Sequence, residues 1–534
     1  MLRDIEMNIL PHIAALVHEA VTMPEINPRW LSLLADSLSY NPESPLQLPS
    51  AFMLVALLLF FAVHSLLHRR RAARNLFTTA FSLYLYYKLS GAYVILLLFI
   101  ALSDYFIARG LGRINGSTTG NPQNLDRKKL LVALSVTINV AILTFFKANG
   151  VFAEFVEAAS HGNVSLRHIA VPAGISFFCF QSISYVVDTY RHKITPLRHF
   201  SDYLFLLGFF PKMFLGPLVR NSDFIAQMQR EDICVSREDT GQATRMIVSG
   251  LVKFCILSKI IGQLFVAPAF AGTLGNDGFT SLMAVYAFTI QLYCDFSGYT
   301  DLASGISLLV GYRLPLNFNL PYHSATITEF WRRWHITLSS WLRDYLYIPL
   351  GGNRRGTVRT YINLLLTMLL GGLWHGAGIM FLLWGLWHGL LLCLHKLWMH
   401  HVPDAAPLGA QLPLWRRTLG IIVTFNAVAL GWLMFRSPDW ETFSTILGNI
   451  FSNFSLASIP QAVSANLPAF SAMLAAYLLH ALPSATIPRL DRICTSSGLP
   501  GQALLIALAI WAVLQCEAAF FSEAASALPI YANF

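Results

Sequence analysis

Charge is what this sequence is short of. Asp, Glu, Lys and Arg make up 12% of its 534 residues, about half of the roughly 25% usual in soluble domains. An ordinary water-soluble enzyme is excluded. There is no long polar block between the hydrophobic runs, so one integrated membrane domain is the reading, not three or four soluble ones. The chain has no CxxC pair among seven cysteines, and most of these sit inside apolar runs, where Cys behaves as a small hydrophobe. Neither a disulfide framework nor a metal site is expected. GxSxG, GxxxxGK[ST] and GxGxxG are all missing, which leaves hydrolase, P-loop and dinucleotide readings without support. No His is followed five positions later by Asp, so the HxxxxD signature of glycerolipid acyltransferases is missing too. No short basic start precedes the first apolar stretch, and no cleavable signal peptide is expected.

What the sequence has is 55% hydrophobic residues and a net charge of +9. The positive surplus falls between apolar runs, which fits cationic loops retained on the cytoplasmic side and not a nucleic-acid surface. A bilayer core needs about 20 helical residues per span. Ala51 to Leu67 is the first, anchored by Arg69, Arg70, Arg71 and Arg74. Asn75 to Ala108 holds two helices with a turn near Ser90-Gly91, and the basic stretch Arg109 to Lys129 returns to the side of the first anchor. Leu130 to Phe146 runs outward, the segment 149–168 is external, and Val171 to Val187 runs back to Arg191-His192-Lys193. Tyr203 to Leu218, interrupted by Gly208, Pro211, Gly216 and Pro217, reads as a broken or re-entrant piece. Backbone of that kind survives at membrane depth only where protein or a watery cavity satisfies it. Later spans are expected at 246–268, 278–296, 360–395 (two), 418–435, 468–484 and 501–520. The expected fold is an all-α polytopic membrane protein with about ten to twelve transmembrane or re-entrant helices. Residues 1–48 form an N-terminal extension and 49–534 one membrane domain.

Thr360 to His395 contains no Asp, Glu, Lys or Arg, and as one helix would be about 54 Å long. It must fold back, and Gly371, Gly372, Gly376 and Gly378 put the break at Leu373 to Gly376. His375 then stands at a helix break in the most apolar part of the chain. An ionisable residue there is costly and points to function; the alternative is a neutral imidazole bonded to one carbonyl. His388 reads as a packed core histidine. The segment 329–345 reads as an amphipathic helix at the membrane boundary. Trp331, Trp334, Leu338, Trp341, Leu342 and Tyr345 share one face, and Arg332, Arg333, Arg343 and Asp344 lie opposite. The arginines suit an anionic ligand such as a coenzyme phosphate, or lipid headgroups. His335 falls at the edge of the aromatic face. Asp295 and Asp301 are carboxylates in an apolar neighbourhood that need partners; pairing with Arg332 or Arg343 is preferred over proton transfer. His64 and His68 have helical metal-site spacing but no third ligand.

Several tracts in order resemble one family. FWRRWHITLSSWLRDYLYIPLGGN (330–353) and GGLWHGAG (371–378) are similar to the membrane-bound O-acyltransferases, within them to the bacterial branch typified by alginate O-acetyltransferases. So are YCDFSGYTDLASG (293–305), VPAGISFFCFQSISYVVD (171–188), GFFPKMFLGPLVR (208–220) and the terminal LPIYANF (528–534). The resemblance covers roughly 50–534 and implies transfer of an acyl group from a thioester to a hydroxyl, through a central tunnel. It makes His375, in LWHG, the indispensable histidine and His335, in WRRWH, a second characteristic position. Arg332, Arg333, Trp334, Arg343, Asp344, Trp374 and Asp295 become candidate substrate contacts. It further implies acetyl-CoA as donor with no bound cofactor, an exopolysaccharide acceptor, a separate periplasmic acetyltransferase partner, and a multi-pass place in the bacterial inner membrane. Cellulose or another cell-envelope polymer, D-alanylation of teichoic acid, and acylation of a lipid or protein stay open within the family. From another class, a transporter with a buried His stays open; such proteins often repeat their halves, and WRRWH has no counterpart elsewhere in the chain.

Overall fold

The structure, a computed structural model, describes residues 38–41, 46, 50–116, 122–160, 170–402 and 413–521. Most of the N-terminal extension, most of the loop 402–413 and the terminal LPIYANF tract lie outside them. Among the described residues every regular element is helical. The apolar runs become α1 (Ala51–Leu66), α2 (Arg71–Ser90), α3 (Val94–Asn115), α4 (Pro122–Ala159) and α5 (Ile175–Tyr190). The turn between α2 and α3 falls at Gly91, as the sequence indicates.

The basic anchors gather at one end of the molecule. Arg74 at the start of α2 donates to the carbonyls of His68, Arg230 and Glu231. Asn115 at the end of α3 donates to Thr189 O, and Tyr105 to Arg198 O. Arg71 and Lys193 line the same open cleft there, with Arg198 and His199. The other end of α2 meets the start of α5, where Ala173 N donates to Ser90 Oγ. At 1.5 Å per residue the 16 residues of α5 separate the two ends by about 24 Å.

The Pro- and Gly-broken tract is short helices: α6 (Phe200–Gly208) and α7 (Phe210–Met213), interrupted at Phe209 and buried from Tyr203 onward. Its freed backbone groups find side chains: Phe210 N donates to Ser82 Oγ and Leu218 N to Thr337 Oγ1, each at 3.1 Å. Gly174, at φ +69°, lets the start of α5 lie against this tract, since a Cβ there would stand 2.5 Å from Met213 O.

The second half is built around α9 (Gly278–Val310), 33 largely buried residues packed on α8 (Arg237–Phe270). Next come α10 (Ile327–Arg333), α11 (Ile336–Leu342), α12 (Thr357–His375), α13 (Ile379–His401), α14 (Leu414–Arg436), α15 (Leu467–Ala481) and α16 (Gly498–Phe520). The apolar stretch 360–395 folds back at Gly376–Gly378, at the far edge of the expected break at Leu373 to Gly376. The two arms touch through glycine: a Cβ at Gly372 would be 2.3 Å from Phe381 O.

Six helices among the described residues are long and apolar enough to cross a membrane, or seven with the bent pair Leu456–Ala465 and Leu467–Ala481. The larger count of ten to twelve includes α5, whose 16 residues are short for a span, and α9, which buries polar side chains inside the protein. Leu58, Ile95, Phe106, Leu130, Leu504 and Trp511 are exposed, as lipid contact requires.

Two expectations are corrected. The segment 329–345 is not one helix: α10 ends at Arg333, Trp334 is extended, and His335 takes the left-handed conformation at φ 42°, ψ 54° before α11 begins. Nor do Asp295 and Asp301 pair with Arg332 or Arg343. Asp301 pairs with Lys253 of α8 at 2.7 Å, and Asp295 accepts from Ser258 at 3.2 Å. Helix α8 supplies the partners because it packs along α9, whereas the two arginines stand on other elements.

Candidate functional site

His375 is the last residue of α12, 3% exposed, with aromatic rings around it. Trp374, Trp384 and Phe435 meet the imidazole edge-on, with centroids 4.7, 5.1 and 5.0 Å away. The residue is not sealed in. With Trp374, Lys147, Pro172, Ser176, Phe177 and Leu215 it lines a cleft of about 370 Å³, open solvent at its mouth included. The walls come from α4, α5, the broken tract after α7, and α12. The sequence reading of a cavity beside a broken segment therefore has its counterpart here, with Leu215 supplied by that segment.

His335 stands one aromatic layer further in, 1% exposed, against Phe177, Phe296, Phe318 and Trp374. Phe177 and Trp374 thus separate it from the cleft that they also line. Its Nδ1 is 3.0 Å from Asn317 Oδ1. The same oxygen accepts from the backbone N–H of Thr337 at 3.3 Å and from its hydroxyl at 2.9 Å. A backbone N–H can only donate, so the Asn317 atom is an acceptor and His335 Nδ1 carries the hydrogen. Nε2 is left as the lone-pair nitrogen, buried and without a partner among the described residues. A histidine whose one nitrogen is fixed by a neighbour, with the other bare, is in the form that accepts a proton.

The remaining candidates divide into two groups that no hydrogen bond or ion pair joins among the described residues. Arg333 pairs with Glu329 at 2.8 Å, Arg417 approaches the same carboxylate at 3.8 Å, and Arg332 is exposed. Arg343 pairs with Asp344 through two contacts, 2.7 and 3.2 Å. Asp344 also accepts from Arg220 through its carboxylate and from Arg191 through its carbonyl. Burial pushes the Asp344 carboxyl up, but the hydrogen bonds from Arg343 and the charge of Arg220 outweigh it and hold the group below the usual carboxylate range. The interruption at His335 is why the arginines part company: the helical repeat does not carry through it. Trp334, expected as a substrate contact, is buried beneath Phe330, Phe318 and Trp432. Asp295 faces α8. His388 is fully buried among Trp331, Trp384 and Trp432, with neither ring nitrogen bonded among the described residues.

Sequence reasoning passed over Lys147, Asn317, Arg220 and Arg191. Lys147 had a signal, since it is the one charged residue between Leu130 and Gly150. The others act through contacts more than a hundred positions away, or 18 for Asn317 and His335, and had none.

The chain is similar to known proteins over most of its length. The pattern of the membrane-bound O-acyltransferase family matches residues 193–430. A protein named Probable alginate O-acetylase AlgI from Azotobacter vinelandii is 34% identical over 441 residues, 81% of this chain and 83% of that protein. Its namesake from Pseudomonas syringae is 38% identical over 323 residues, 60% of each chain, so that match spans less than two thirds of the relative. The Peptidoglycan O-acetyltransferase of Helicobacter pylori is 32% identical over 398 residues, 68% of this chain and 71% of that protein. With a helical membrane architecture and a buried histidine at the LWHG break, the chain belongs to the membrane-bound O-acyltransferase family.

Proposed function

We propose that this protein moves acetyl groups from a thioester donor, acetyl-CoA, across the bacterial inner membrane for O-acetylation of a cell-envelope polysaccharide. The observation that carries this reading is His375 at the wall of a cleft, with an aromatic surround and no carboxylate among the described residues that line it. Relatives named for alginate and peptidoglycan acetylation support a polysaccharide acceptor. The polymer that fits best is an exopolysaccharide such as alginate. A Teichoic acid D-alanyltransferase of Streptococcus thermophilus is 29% identical over a shorter stretch, 52% of this chain, and so supports a different acyl group less well.

A hydroxyl is a poor nucleophile at neutral pH. His375 takes its proton as the oxygen attacks the thioester carbonyl carbon, and the proton passes to sulfur as the C–S bond breaks. Free thiol and ester result. Such general-base help contributes about 10²- to 10⁴-fold, and exclusion of bulk water protects the thioester from hydrolysis. The positive-inside rule assigns the Arg- and Lys-rich end to the cytoplasm. The donor's phosphates then meet the arginines near Arg343, and the cleft of His375 faces the periplasm, where a partner acetyltransferase receives the group.

The test is acetyl transfer from radiolabelled acetyl-CoA by protein in sealed vesicles containing the acceptor polymer and the partner. His375→Ala should fall at least 10²-fold at unchanged yield. Equal transfer by wild type and variant would remove His375 from the chemistry, and uptake of intact donor by both would favour a transporter.

A further inference from the structure

Helix α4 is apolar from Leu130 to Phe146, and Lys147 follows inside the same membrane-crossing stretch, Gln123–Gly150. A cation at such a place is costly unless it finds acceptors. This one finds them at the end of α12. Its ammonium donates to the carbonyl of Trp374 and reaches that of His375 at 3.5 Å. It also lies 5.1 Å from the centre of the Trp374 ring. The last carbonyls of a helix have no partner within the helix. Here Gly376 N returns to Gly372 O, and the chain then turns away through Gly376–Gly378, so no further turn of helix covers Trp374 O and His375 O. A lysine from a different helix does so, with the charge that the negative end of a helix favours.

We infer that Lys147 is a positioning residue for the reaction: it fixes the carbonyl end of α12 so that the His375 imidazole stays presented to the cleft both residues line. This rests on the acetyl-transfer reading above. Lys147 touches backbone, not the reacting atoms, so its removal is felt as a small displacement of His375, and displacements of about 1 Å cost on the order of 10²-fold in rate. Donor binding at the distant basic end is left alone.

The experiment measures kcat and the KM for acetyl-CoA of purified Lys147→Met, Lys147→Arg and His375→Ala beside wild type, with yield and melting temperature of each. Methionine keeps the unbranched stem and removes the charge; arginine keeps the charge and its donors. The expected result is a fall of roughly 10²-fold in kcat for Lys147→Met, with KM within twofold and yield unchanged, and recovery to within about tenfold for Lys147→Arg. Lys147→Met with more than a third of wild-type kcat overturns the inference. So does a drop in yield for both lysine variants with normal kcat in the protein recovered, which makes the lysine a fold element only. An active wild type with an inactive His375→Ala and an unimpaired Lys147→Met removes Lys147 alone. Full activity of His375→Ala removes the reading beneath it, and this inference with it.

Discussion

Two helices of this protein are interrupted beside a histidine, and they are interrupted by different means. At Gly376–Gly378 the residues themselves make the break. Glycines leave the helix at no steric cost, and the returning arm packs against Gly372. At His335 no glycine is present. A bulky residue holds a left-handed conformation that costs roughly 1–2 kcal/mol, and Asn317 holds it in place by bonding His335 Nδ1, Thr337 N and Thr337 Oγ1 with one oxygen. The backbone joins in, since Ile336 N donates to Asn317 O and Asn319 N to Arg333 O. A break made by local residue type needs little support. A break made against residue type needs a strap from elsewhere, and residues 317–319 are that strap.

The largest expected effect follows from cutting the strap. Asn317→Leu keeps the volume and leaves a buried backbone N–H, a hydroxyl and an imidazole N–H without their acceptor, at about 1–3 kcal/mol for each unsatisfied group. A melting temperature lowered by well over 5 °C is expected, with little folded protein recovered. Asn317→Asp retains the oxygen and should be recovered in much better yield. If leucine melts like wild type, the strap is incidental and the two breaks are of the same kind.

This contrast also explains what could be read from the amino acids alone. The glycine break, the Gly91 turn, the broken tract at 203–218 and the gathering of basic anchors at one end all come from local residue types, and all were legible. The amphipathic helix at 329–345 was misread because its residues do repeat helically, while the force that interrupts them comes from residues 317–319. Lys147 and Trp374 meet across 227 positions, and Arg220 and Asp344 across 124. No periodicity encodes such meetings. Among three imidazoles in the uncharged run 360–395, His375 was found because it falls at the glycine break and in a tract that resembles one family; its wall of α4 and α5 residues was not.

A smaller effect separates strain from chemistry at the second break. His335→Gly relieves the left-handed conformation by about 1 kcal/mol, but it deletes one hydrogen bond of about 1 kcal/mol and a buried ring packed among Phe177, Phe296, Phe318 and Trp374, whose cavity costs about 2 kcal/mol or more, so a net loss remains. The melting temperature should fall by several degrees, less than for Asn317→Leu, while acetyl transfer falls much further. A stable His335→Gly with full transfer would make that imidazole purely architectural. At the other break His375→Gly offers no relief, since His375 ends α12 in a helical position.

The smallest effect is expected at the basic end, which serves as the control for both breaks because neither depends on it. The Asp344 carboxyl lies below its usual range in the folded protein, held there by Arg343 and Arg220 against the opposing effect of burial. A group whose pKa is lowered by folding contributes stability above its unfolded value, near 3.9 for Asp, and loses that contribution as pH falls through the lower folded value. Asp344 is partly open to water, so screening leaves the contribution under about 1 kcal/mol. Asp344→Asn should therefore melt only a few degrees below wild type, by the same margin at pH 6 and pH 8, and the margin should close only when wild type is taken well below pH 4. A margin that changed between pH 6 and pH 8 would mean that a histidine, not this carboxylate, governs the basic end.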